Sequence, residues 1–244
     1  ITYYLKEAPE GEVTMKVCDS QGQLINTFTS TVPESQSGDV DQEPRLPAVS
    51  GINRFVWDMR YPDARKVAGD KTTEEITTGP TAPPGDYRLS LSVDGTEQTR
   101  EFQIVKDPRV VASQADFNSQ FDLHISIRNK LSETHDSINK LRNIRRQVEE
   151  WEQRAESHSS AEAVASAAIP LKEKLAAIEN ELVQVEHKGA RDRLNLPVKL
   201  NRKLAEVIAV VASADFAPPK QVSEVFQDLS TRIEVQIKFL EDVV

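Results

Sequence analysis

Cysteine is almost missing from this 244-residue chain: the one present is Cys18. Neither an intramolecular disulfide framework nor a thiolate metal site can be built from it. Cys18 stands in an alternating, strand-like stretch with no histidine close in sequence, so it reads as a small buried hydrophobe rather than a nucleophile. Glycine is scarce too, with 9 in all, and none forms a phosphate-binding loop ahead of a helix or a Gly-x-Ser-x-Gly elbow. No run of eighteen apolar residues occurs, so no membrane-spanning helix is expected. The formal net charge of −9 leaves no unopposed basic surface for nucleic acid. Arg142, Arg145 and Arg146 do cluster, but Glu149, Glu150 and Glu152 follow at once, which is the pattern of i,i+4 pairing along a solvated helix face.

What the chain does contain is two kinds of periodicity. Its length suits two ordinary domains, and 38% apolar with 28% charged residues argues against one thick core. Up to about Lys106 side chains alternate every second residue. Thr2–Leu5, Val13–Val17, Leu24–Phe28, Asn53–Asp58 and Tyr87–Val93 read as strands. Turns are expected at Asp19-Ser20-Gln21-Gly22 and at Asp94-Gly95, the latter leading into Phe102 and Ile104. Short alternating strands with no intervening helices predict a β-sandwich of the immunoglobulin or fibronectin-III type over residues 1–108, with Trp57 at its centre. Residues 33–47, and to a lesser degree 64–78, carry no period and are expected to be loops.

At Asp107-Pro108 the period changes to three and four. Ser113 with Asp116 makes a capping-box start, and the apolar stripe from Phe117 to Trp151 predicts a helix of roughly 60 Å. A second stripe, Val164 to Val185, is interrupted by Pro170, where a kink or a new helix start is expected, and Gly189 marks its end. Further helices are expected from Asn195-Leu196-Pro197 and after Pro218-Pro219. Short links predict that residues 109–244 form an antiparallel bundle of three to four helices.

Candidate chemistry is thin. His124 and His135 share a helix face but stand three turns apart, roughly 16 Å, so one metal cannot join them; with no His-x-x-Glu-His pattern, surface or capping roles are expected. Asp58, Arg60, Tyr61 and Asp63 gather where a strand enters a loop and are the binding candidates, against the simpler reading of an Arg–carboxylate pair ordering the strand end. The acidic pairs Glu74-Glu75 and Glu149-Glu150 read as solvated neighbours. No catalytic residue, metal or cofactor is expected.

Several runs carry a family resemblance. Tyr3-Tyr4-Leu5, Gly51 through Pro62 with its Phe55-Val56-Trp57-Asp58 core, and Ala82-Pro83-Pro84-Gly85-Asp86-Tyr87 are three of them. Lys106-Asp107-Pro108-Arg109, Ser132-Glu133-Thr134-His135 and Leu196 to Asn201 continue the series. Together they resemble the C-terminal region of large bacterial proteins with a sortilin-type, Asp-box (BNR) β-propeller, often labelled glycosyl hydrolases. The strand half is similar to the immunoglobulin-like module of the flagellar hook-capping protein. The resemblance implies a periplasmic or extracellular bacterial location and an upstream propeller as partner on the same polypeptide. It implies a supporting, non-catalytic role, with any hydrolase activity belonging to the propeller. In keeping with it, the chain opens at Ile1 without a starter methionine and reads as a piece of something longer. The alternative is a module that binds protein or carbohydrate through exposed aromatics such as Tyr3, Tyr4, Tyr61 or Trp151.

Overall fold

A computed structural model of the chain describes residues 1–31, 44–70, 73, 76–187 and 192–243. Most of the expected loop at 33–47, the Glu74-Glu75 pair and Gly189 lie outside the described residues. The fold combines antiparallel sheets with four helices, and no helix is long and apolar enough to cross a membrane among the described residues. The chain divides into two compact units, one made of Ile1–Pro62 and Thr81–Phe117, the other of Asp63–Pro80 and Asn118–Val244. It therefore passes between units three times, where the sequence reading drew a single boundary near residue 108.

In the first unit β1 (Thr2–Leu5) pairs antiparallel with β4 (Gly51–Arg54), Thr2 opposite Arg54. The strands β2 (Thr14–Asp19), β3 (Leu24–Thr29), β5 (Gly85–Val93) and β6 (Thr96–Ile104) form a second sheet in the order β3-β2-β5-β6. Both hairpins follow from local chemistry. The Asp19 carboxylate accepts from the Gln21 and Gln23 amides at 2.9 Å each, closing the β2–β3 turn. Asp94 and Gly95 take φ of 46° and 80°, the pair of positive values that a two-residue turn between β5 and β6 requires. A register shift beside Val17 and Cys18 lets Ile25 and Phe28, three residues apart, both face inward, which strict alternation forbids. Cys18 itself is half-buried.

The core of this unit is Val13, Met15 and Val17, all fully buried, with Ile25, Phe28, Leu46, Phe55, Ala82 and Tyr87. The Phe28 and Phe55 rings meet at 4.7 Å. Trp57 stands at the rim instead of the centre: its ring meets Phe102 edge-on at 6.4 Å, and its indole N–H donates to the Arg60 carbonyl at 3.2 Å. That division, an apolar body inside and a polar handle at the edge, is the usual compromise for tryptophan. The expected strand 53–58 ends at Arg54, because pairing stops where Ile1 and Phe55 exchange backbone bonds and the chain then turns at Met59, whose φ is 62°.

Four helices follow: α1 (Gln114–Ala155), which belongs to the second unit from Asn118 on, and within that unit α2 (Ala161–Leu182), α3 (Leu200–Val211) and α4 (Lys220–Val243). At the start of α1 the Asp116 carboxylate accepts from the Ser113 N–H and hydroxyl at 2.8 Å each, and the Ser113 hydroxyl accepts from the Asp116 amide at 3.3 Å. This is the expected reciprocal cap, and it holds the Asp116 carboxyl below its ordinary range. Over 42 residues α1 spans about 63 Å. Pro170 lies inside a continuous α2, neither ending nor restarting it. Both Pro170 and Ser166, whose carbonyl loses its partner, are exposed, so water can satisfy the freed group while Leu175, Ile178 and Leu182 bury the helix's far half. The third helix begins at Leu200, later than the expected Asn195, after a single 3₁₀ turn at Asp192–Leu194.

One apolar core unites these elements: Ile127, Leu131, Ile138 and Leu141 of α1, with Leu175, Ile178 and Leu182 of α2, Leu204, Val207, Ile208 and Val211 of α3, and Leu229, Ile233 and Leu240 of α4. Ala64 and Val67 belong to it as well, with Ile76 packed against it. Ala64, Val67 and Ile76, from a segment expected to be a loop of the strand domain, are thus structural parts of the helical unit.

Candidate functional site

The four binding candidates of the sequence are placed in separate roles. The Arg60 amide donates to the Asp58 carboxylate at 2.9 Å, an Asx-type turn that reverses the chain after Trp57. Arg60 also forms an isolated antiparallel bridge with Thr81, and the Ala82 amide donates to the Met59 carbonyl at 2.7 Å. Tyr61 packs against the strand core. Asp63 belongs to the other unit, where its carboxylate accepts from the Gly79 amide at 2.9 Å.

The densest polar arrangement lies instead on α1. Ser132, His135, Asp136, Asn139 and Arg142 follow one another at helical spacings of three and four, which puts them on one face. That face holds the main chain of residues 65–68. The Arg65 amide donates to the Ser132 hydroxyl at 3.1 Å, and the Arg65 carbonyl meets His135 Nδ1 at 2.5 Å. Asn139 Nδ2 donates to the Lys66 carbonyl and Arg142 Nη1 to the Ala68 carbonyl, both at 3.2 Å. Farther up the helix His124 Nε2 meets the Thr78 carbonyl at 3.0 Å. Side chains of the helix here satisfy main-chain groups of this segment whatever its own side chains are.

Three ion pairs, centred on two carboxylates, flank this ladder. The Arg65 guanidinium grips Asp136, with Nε 2.8 Å from both carboxylate oxygens, but the partners are 64% and 48% exposed and contribute little. Glu179 of α2 is different: it is 2% exposed and accepts from Arg142 Nε at 2.7 Å and from Arg145 Nη1 at 2.5 Å. Arg142 therefore ties α2 and the 65–68 backbone to α1 at once.

His135 is fully buried. A carbonyl only accepts, so Nδ1 carries the hydrogen toward Arg65 and Nε2 is left as a bare acceptor. Among the described residues Nε2 has no hydrogen-bond partner. Burial pushes the His135 imidazole below its ordinary value of 6.5, against the opposing pull of the Arg65 carbonyl and of the Asp70 and Asp136 charges. Asp70 is buried in the same region, accepting from the Thr73 hydroxyl at 2.7 Å and reached by Asn201 Nδ2 of α3 at 3.5 Å. Both α1 histidines are therefore interior groups, contrary to the surface or capping roles expected from sequence, each meeting a carbonyl of the chain before β5, Arg65 for His135 and Thr78 for His124.

The arrangement positions and clamps. Its hydrogen bonds run to main-chain groups and side chains of the chain itself, and among the described residues no three His, Cys, Asp or Glu side chains stand ready to hold a metal ion. Glu149, Glu152, Glu156 and Glu162 line an open depression of about 740 Å³ where α1 meets α2, while Glu150 pairs with Arg146 and Arg154. The sequence reading missed the Ser132–Arg142 face. Its trace was a row of polar residues at threes and fours beside the apolar Leu131, Ile138 and Leu141. No protein-family model, curated protein or solved structure matches the chain.

Proposed function

We propose that this chain is a non-catalytic accessory module of a larger exported bacterial protein. In this reading an immunoglobulin-like sandwich is joined to an antiparallel helical bundle, and the module braces an upstream β-propeller or mediates its assembly. The observation that carries the reading is the use made of the polar interior. Its buried histidines and Glu179, with the half-buried Arg142 and Arg145, bond to the chain's own main chain and helices, as expected of a brace. Two antiparallel sheets contributing to one core support the sandwich. The bundle is supported by the order of two ion pairs, Arg142 with Glu179 and Glu152 with Lys172, since numbers rise along α1 as they fall along α2.

For a partner, β1 and β4 offer Tyr4 and Ile52, directly opposite each other and 69% and 77% exposed, with Val56 nearby in sequence. A carbohydrate-binding role through aromatics is less well supported. Tyr3 and Tyr61 pack on the strand core, and Trp151 has the Arg154 guanidinium 5.5 Å above its ring. The test adds the isolated chain to the propeller encoded upstream in the same reading frame. Binding weakened about tenfold by Tyr4→Ala with Ile52→Ser is expected, that being the order of two lost apolar anchors. Glycoside turnover by the chain alone would overturn the reading.

A further inference from the structure

Residues 65–68 are held to α1 by a ladder of hydrogen bonds in which one rung is an imidazole, His135. The ladder from Ser132 to Arg142 consists of neutral or permanently charged groups except at His135, which sits fully buried between the Arg65 carbonyl and the rest of the core. Its Nδ1–H is already donated, so a second proton would go to Nε2, which has no acceptor among the described residues. The charged groups facing the ring are Asp70 from the segment and Asp136 from α1, and Asp136 is engaged by Arg65. From α3 the cluster receives the uncharged Asn201. Arg142, two turns along α1, is neutralised by Glu179 of α2.

We propose that His135 makes this contact a proton-sensitive clasp: acidification releases residues 63–70 from α1 while the helical core persists. The sign follows from linkage. Released, His135 is an ordinary imidazole titrating near 6.5; docked, it resists protonation because burial outweighs the attraction of Asp70 and Asp136. The released form thus binds more protons below about pH 6.5, and the docked form is favoured fully above it and progressively less as pH falls. One proton per release event shifts the equilibrium about tenfold per pH unit between the released and docked values. The apolar contribution of Ala64 and Val67 is independent of pH, and it sets how far acidification must go.

The experiment is amide hydrogen exchange on the intact chain between about pH 7.5 and 5, corrected for intrinsic chemical rates. The reporters are the Ala64 amide, which donates to Thr77, and the Arg65 amide, which donates to Ser132. Their protection is expected to fall about tenfold per pH unit below about 6.5, while amides around Ile138 stay protected. His135→Gln keeps a donor for the Arg65 carbonyl and removes the titration, so protection at both reporters becomes flat. A flat wild-type profile, or an unchanged fall in the glutamine variant, overturns the proposal. Should the variant not fold, ring titration of wild-type His135 by NMR decides. A midpoint below the ordinary histidine value that moves with the loss of protection at Arg65 supports the clasp, and a midpoint at or above that value refutes it.

Discussion

Leu131→Pro removes a large part of the stability of the helical unit. Leu131 lies in the interior of α1 and is fully buried in the core that α2, α3 and α4 share. The substitution removes the amide bond to Ile127 and drives the pyrrolidine ring against that carbonyl, at a cost of about 3 kcal/mol or more in a helix interior. It also deletes a leucine from a site where truncation alone costs about 2–5 kcal/mol. The two terms overlap, but the smaller is already a large part of the 5–15 kcal/mol by which domains are stable. Thermal or urea unfolding followed by far-UV circular dichroism measures it. A transition at the wild-type midpoint would refute the assignment of residues 114–155 to one packed helix.

A second large loss is expected when Arg142 and Arg145 are both changed to methionine. Glu179 is then left at 2% exposure without a cation. Stranding one member of a buried ion cluster costs about 3–5 kcal/mol, because the charge keeps its desolvation penalty and loses its compensation. The guanidiniums are 30% and 35% exposed, so water screens the pairs and the expected value lies toward the lower end. Adding Glu179→Leu should recover most of the loss, since a well-packed apolar replacement removes the stranded charge. Arg142 also donates to the Ala68 carbonyl, so Arg145→Met alone separates the ion-pair effect from the loss of that bond. Denaturation midpoints of the single, double and triple variants close the cycle.

The elements most legible from sequence were those whose partners lie close in the chain. The Ser113–Asp116 cap, the Asp94-Gly95 turn and the start of α4 after Pro218-Pro219 each depend on a few consecutive residues, and each stands where local chemistry put it. What depends on distant partners was harder to read. Residues 65–68 follow neither a period of two nor one of three to four, and their main-chain groups are met by side chains of a helix more than sixty positions away. Ala64, Val67 and Ile76 are too widely spaced to register as a stripe, although all three meet the helical core. The burial of His124 and His135 was hidden for the same reason: the helix face that carries them has a polar pattern, and only the covering segment makes it interior. Among the binding candidates, Asp58 and Asp63 looked like neighbours from five residues away, but the chain leaves one unit for the other between them.

The claim on which the rest depends is that residues 63–80, flanked on both sides by strands, belong to the helical core. Methyl NOE spectra of the unmodified chain test it without perturbing anything. Cross-peaks from the Ala64 and Val67 methyls to those of the helical core, in the region of Ile127, Leu131 and Ile138, are the predicted result. Cross-peaks from Val67 to Met15, Val17 or Ile25, in place of those, would contradict it.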